Sequence, residues 1–267
     1  MRKQAPLFRE KRGTGLKKYI CLDMERVLQS WRFLISIIGV AAIFYIFGAK
    51  PYEGYSLIEM YQFNIYQIQT LLVYIFCILP YGDGICQDME CRFYQLMIIR
   101  GKVFNYGLSK AFAIFLSSAL TMILGTALYI LIVKIQYNEL IWVSENYIRG
   151  AFSSFISKEM YIPYFILCSI QMGLLTGILA LLCAVASLYI VNKLFLYSLP
   201  IISYYTLCYL SEIIFGDYGF HWIYSPLYTI HSNEFLSFMI TIIISCILFA
   251  ILVYVLNRKL KRRLNNG

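Results

Sequence analysis

Charge is scarce in this chain. Only 14% of its 267 residues are Asp, Glu, Lys or Arg, against 60% hydrophobic, and the mean hydropathy is +0.68. A soluble domain is about 45–50% apolar, so this composition has no means of covering a water-facing surface. Histidine is nearly absent: His221 and His231 stand apart with no HExxH pattern, which removes the ligand set of a zinc protease. The eight cysteines never fall in CxxC spacing, so neither a disulfide framework nor a thiolate zinc site is indicated. Most lie inside apolar runs and read as small packing residues. A phosphate-binding loop is also missing. The one Gly-Lys pair, Gly101 and Lys102, has Leu96 where the first glycine of GxxxxGK[ST] belongs and Val103 where the hydroxyl belongs. No internal repeat and no paired acids at useful spacing inside the apolar runs are found.

What the chain has instead is long apolar runs. A bilayer core of about 30 Å selects roughly 20 helical residues at about 1.5 Å each, and several runs approach or exceed that length. The expected architecture is an all-α integral membrane protein with six transmembrane helices in a single domain covering 1–267. Residues 1–18 form a basic tail. Over 19–32 the apolar Ile20, Met24, Val27, Leu28 and Trp31 recur at helical spacing, with Asp23, Glu25, Arg26 and Gln29 elsewhere, which predicts an amphipathic helix lying in the interface. The spans are expected at 33–47, 61–79, 106–133, 163–191, 194–215 and 235–256. No short positively charged leader precedes the first, so that span is expected to be retained.

Local punctuation supports these limits. Pro80 stops the second span, Asn192 and Lys193 turn the fourth tightly into the fifth, and Pro200 interrupts the fifth near its start. Ser117, Ser118, Thr121 and Gly125 in the third span suit close helix approach. A loop over 134–161 has room for short interfacial helices. Glu212 is the one acid well inside an apolar run, and Gly216 and Asp217 place it near an interface. The aromatic stretch 216–234 fits a short outer hairpin before the sixth span, and residues 258–267 form a basic tail.

The charges that exist are unevenly placed. With six spans, 19 Lys and Arg fall on the side of the two termini and 4 fall opposite. The positive-inside rule then places both termini in the cytoplasm, and it accounts for the net charge of +9 without nucleic acid.

The largest polar interruption is YGDGICQDMECRFYQLMIIRGKVFNYGLSK, 81–110, between the second and third spans. Its Glu90, Arg100, Lys102, Tyr106 and Lys110 follow the order E…R…K…Y…K, with one residue between Arg100 and Lys102, although Cys91 and Arg92 follow the acid where Gly or Thr is usual. Together with RFLISIIG (32–39), GILALLCAVASLYIVNKLFLYSLP (177–200) and Ser225-Pro226 before the last span, this pattern resembles the membrane-spanning permease subunits of type-2 ATP-binding-cassette (ABC) exporters, including those of bacteriocin and lantibiotic systems. The resemblance implies a complex of two permease chains, identical or different, with two ATP-binding subunits in the cytoplasmic membrane of a bacterium. This chain would then hold no cofactor, ATP and Mg being held by the partner subunit. It also implies a cytoplasmic coupling helix in the 81–110 loop, with Ile85, Met89, Phe93 and Leu96 forming an apolar face for a groove of that partner. Asp88, Glu90, Arg92, Arg100 and Lys102 would surround that face with charge. The aromatic richness, 24 Tyr and 19 Phe, and the absence of buried charge suit an amphipathic peptide or lipid better than a small ion, and the resemblance implies that it is moved out of the cell. A membrane-embedded hydrolase and a non-transporting immunity or structural membrane subunit stay open as alternatives.

Overall fold

The computed structural model describes residues 16–48, 56–68, 70–91, 103–136, 150–190, 192–216 and 219–265. Among them every regular element is a helix. In chain order these are α1 (Leu16–Leu28), α2 (Trp31–Phe47), α3 (Leu57–Tyr66), α4 (Thr70–Ile78), α5 (Gly84–Glu90), α6 (Val103–Gln136), α7 (Ser153–Ser157), α8 (Tyr161–Ser187), α9 (Lys193–Phe215), α10 (Phe220–Tyr224) and α11 (Glu234–Asn265). Four of them, α6, α8, α9 and α11, are long and apolar enough to cross a membrane, and the pair α1–α2, bent by 60°, makes a fifth if taken as one. The protein is a membrane-embedded helical bundle.

The two longest interior helices, α6 and α8, lie against each other and form the axis of the bundle. Around them pack α1 and α2 on α6, α9 and α4 on α8, and α11 on both. Small residues permit this. A Cβ on Gly125 of α6 would sit 2.6 Å from the Val40 side chain of α2, and one on Gly177 of α8 would sit 2.6 Å from the Phe115 ring. Three interior hydroxyls of these helices bond carbonyls of their own helix: Ser117 Oγ donates to Ile114 O at 3.0 Å, Thr121 Oγ1 to Ser117 O at 2.8 Å and Thr176 Oγ1 to Gly173 O at 3.0 Å. Turned back in this way, they serve close packing in apolar surroundings.

Two expectations need correction. The second apolar run is not one helix over 61–79. It is two, α3 and α4, with Gln67 extended between them (ψ 150°). Thr70 Oγ1 donates to Asn64 O at 2.6 Å and so satisfies a carbonyl that the interrupted helix leaves open. Glu59 closes a capping box with Ser56 at the start of α3. The basic segment at 258–263 is not a tail but the last turns of α11. Lys and Arg are good helix formers, and Leu256 and Leu260, one turn apart, are both buried and keep the helix docked.

Other limits agree with the sequence reading. Asn192 caps α9 by accepting from Leu194 N at 3.0 Å and Phe195 N at 3.4 Å. Gly216, with φ +61°, ends α9 in a conformation open to glycine.

Candidate functional site: a buried ion node at the basic end of the bundle

The helices alternate in direction, so the beginnings of α2, α6 and α9 meet the ends of α8 and α11 at one end of the bundle. Most of the described basic residues gather there. At its centre is Lys110, in the second turn of α6 and only 2% exposed. Burying an ammonium is costly unless each of its three N–H groups finds an acceptor. Here each does: Lys110 Nζ lies 3.1 Å from Asp23 Oδ1 of α1, 2.9 Å from Asp88 Oδ2 of α5 and 2.5 Å from the Tyr81 hydroxyl.

The acceptors are themselves held. Tyr81 donates to Asp23 Oδ1 at 2.8 Å, Ser109 Oγ to Asp23 Oδ2 at 3.1 Å, and the Tyr106 hydroxyl to Asp88 Oδ2 at 2.6 Å. Burial pushes the Tyr81 phenol up to about 12, with Lys110 pulling the other way. Tyr81 therefore keeps its proton, which it needs in order to donate to Asp23 while accepting from Lys110. The two carboxylates exceed the one ammonium by a charge, and Arg26, 3.9 Å from Asp23 at the exposed edge, offsets it.

A second pair stands beside the first. Arg32, at the start of α2, reaches both oxygens of buried Asp83, at 3.2 and 2.9 Å, and Gln87 Nε2 donates to Asp83 Oδ2 at 2.8 Å. Glu90, at the end of α5, meets Lys193 of α9 at 2.8 Å on the surface. The end of α11 lies over the same region: Arg263 Nη1 is 3.8 Å from Met89 Sδ, and Lys259 Nζ sits 4.0 Å above the Tyr189 ring. The short segment 81–90 is thus bonded to α1, α2, α6, α9 and α11. Cys86, within it, is buried, and its thiol is pushed up by burial and then by Glu90 and Asp83, so it stays protonated and unreactive.

The expected partner-facing residues divide. Asp88 and Met89 are turned inward, Asp88 into the ion node and Met89 into the core, and Ile85 is fully buried. This corrects the expectation of an outward apolar face with Asp88 on its rim: in α5 the apolar side chains complete the bundle's own interior. Glu90 is exposed. Arg92, Phe93, Leu96, Arg100 and Lys102 lie outside the described residues.

Asp23, expected off the apolar face of α1, is instead buried, as are Tyr19 and Val27 one turn away on either side. Its signal was the spacing of those two residues, four on either side of it.

At the opposite end the interactions among the described residues are uncharged or carry one sign. Gln171 Nε2 donates to Ile223 O at 3.1 Å, and Thr241 Oγ1 donates to the same carbonyl at 3.0 Å, which holds the hairpin of α10 against α8 and α11. Glu234 accepts from Ser153 and from both the backbone and side chain of Ser154. His221 and His231 do not meet. His221 Nδ1 is 2.8 Å from the Tyr204 hydroxyl, and His231 Nδ1 accepts from Asn233 N at 3.0 Å. Glu212 is exposed near the end of α9.

Comparison with family models, with curated proteins and with solved structures finds no match.

Proposed function

We propose that the chain is the transmembrane permease subunit of an ATP-driven exporter of the type-2 ABC class, moving an amphipathic substrate, peptide or lipid, outward across the cytoplasmic membrane. The observation that carries this reading is the ion node, because it fastens the 81–90 segment to the first helices and to α6. A force applied to that segment from the cytoplasm passes directly into α1, α2 and α6 without first deforming a loop. In this reading both termini are cytoplasmic, as the 19 to 4 distribution of basic residues favours, and six spans cross the membrane, the second being the broken pair α3–α4. Glu90, Arg92, Phe93, Leu96, Arg100 and Lys102 face the ATP-binding subunit, while Asp88 and Met89 connect that surface to the bundle. A second permease chain completes the path, and ATP and Mg are bound by the partner.

The test is recovery of the chain from its native membrane in mild detergent. The expected result is co-purification of an ATP-binding subunit, whose ATP hydrolysis stays coupled to transport in the native complex and loses that coupling in Asp88→Asn at equal assembly. Recovery of the chain without such a subunit, or unchanged coupling in the variant, contradicts the reading.

A further inference from the structure

Between α6 and α11, at the basic end, runs an open groove of about 760 Å³. Its floor and walls are apolar: Phe104 and Leu108 from α6, and Phe249 and Val253 from α11. Along α11 the lining changes character in one direction. Phe249 and Val253 give way to Tyr254 and then to Arg258 and Lys261. From residue 249 to residue 261 the helix advances about 18 Å, the length of a phospholipid headgroup together with the upper part of its acyl chains. Arg258 and Lys261 are exposed and make no ion pair or hydrogen bond among the described residues, unlike Lys110, Arg32 and Lys193 at the same end. Two cations without acid partners, set at the headgroup end of an apolar trough, are complementary to a molecule with an anionic head and a hydrocarbon body.

We infer that this groove is a binding site for an anionic diacyl phospholipid, its phosphate held by Arg258 and Lys261 and its upper chains lying against Phe104, Leu108 and Val253. Zwitterionic lipid fits the trough but leaves the two cations less fully matched, so headgroup charge decides occupancy. The site lies outside the ion node and does not depend on the transport reading.

The test uses the full chain in detergent, with retained dioleoylphosphatidylglycerol and dioleoylphosphatidylcholine measured by native mass spectrometry. Phosphatidylglycerol should be retained in preference to phosphatidylcholine, and Arg258→Gln with Lys261→Gln should weaken its retention roughly ten- to thirtyfold, two surface cations each contributing to anionic lipid binding. Arg262→Gln removes the same charge from an exposed position outside the groove lining and should change retention less than twofold, roughly the scatter of a screened surface charge. Ala250→Trp fills the trough without altering charge and should also reduce retention. Millimolar inorganic phosphate should not displace the lipid. Equal retention of the two lipids, an Arg262→Gln loss as large as that of the double variant, retention untouched by Ala250→Trp, or displacement by phosphate would each overturn the inference.

Discussion

The two ends of the bundle are built from different interactions. At the basic end, Lys110, Asp23, Asp88, Arg32 and Asp83 are charges partnered across four segments of chain, with Tyr81, Tyr106 and Ser109 filling the remaining hydrogen-bonding positions. At the other end the hairpin is held by uncharged contacts from Gln171, Thr241 and the Tyr224–Ser245 hydroxyl pair at 3.0 Å. Buried charge is intolerant of displacement, because a partner withdrawn leaves an ion without solvent. Uncharged hydrogen bonds are replaced by water at little cost when they open. The basic end is therefore suited to moving as one piece, and the far end to opening and closing.

The sharpest way to break this contrast is to remove the ammonium. Lys110→Ala strands Asp23 and Asp88 in the interior and should lower stability by about 3–5 kcal/mol, the usual cost of breaking a buried pair from one side. Thermal unfolding in detergent reads this directly. A change as small as that of a surface substitution would mean that water reaches the node. A smaller effect of a different kind is expected at the start of α9, where Asn192→Ala removes the cap over Leu194 and Phe195. It should cost about 1 kcal/mol and leave the node intact.

The far end should respond to mild acid. Burial lowers the His221 pKa from its usual 6.5, with Glu212 opposing. A base whose folded pKa is depressed loses stabilisation as pH falls below its unfolded value, since the unfolded state then binds the extra proton. The hairpin should therefore loosen progressively below about pH 6.5, seen as faster proteolysis or amide exchange over 219–233. His221→Gln should remove that dependence.

The long apolar helices could be read from the sequence because their signal is local. Runs such as 103–136 and 161–187 need only hydropathy and length, and Asn192 and Gly216 announce their turns by residue type. The node could not be read in the same way. Asp23 looks like a wetted charge in the periodicity of α1, and only Lys110, brought alongside by the packing of α1 on α6, makes its burial tolerable. Lys110 and Tyr106 were singled out through a family pattern, which marked the residues without showing that they point at Asp88. The inward turn of Ile85 and Met89 has no local signal for a related reason: an apolar face fits a partner's groove and the chain's own core equally well. The extension of α11 through its basic residues depends on the burial of Leu260, again a tertiary fact.

The central claim is that Lys110 binds α1 and the 84–90 helix into one mechanical unit. It is tested most directly by amide hydrogen exchange in Lys110→Met, which keeps most of the side chain's volume and removes its charge. Exchange should accelerate together over 16–28 and 84–90 while the hairpin at 219–233 is unaffected. Acceleration in only one of the first two segments, or in neither, would contradict it.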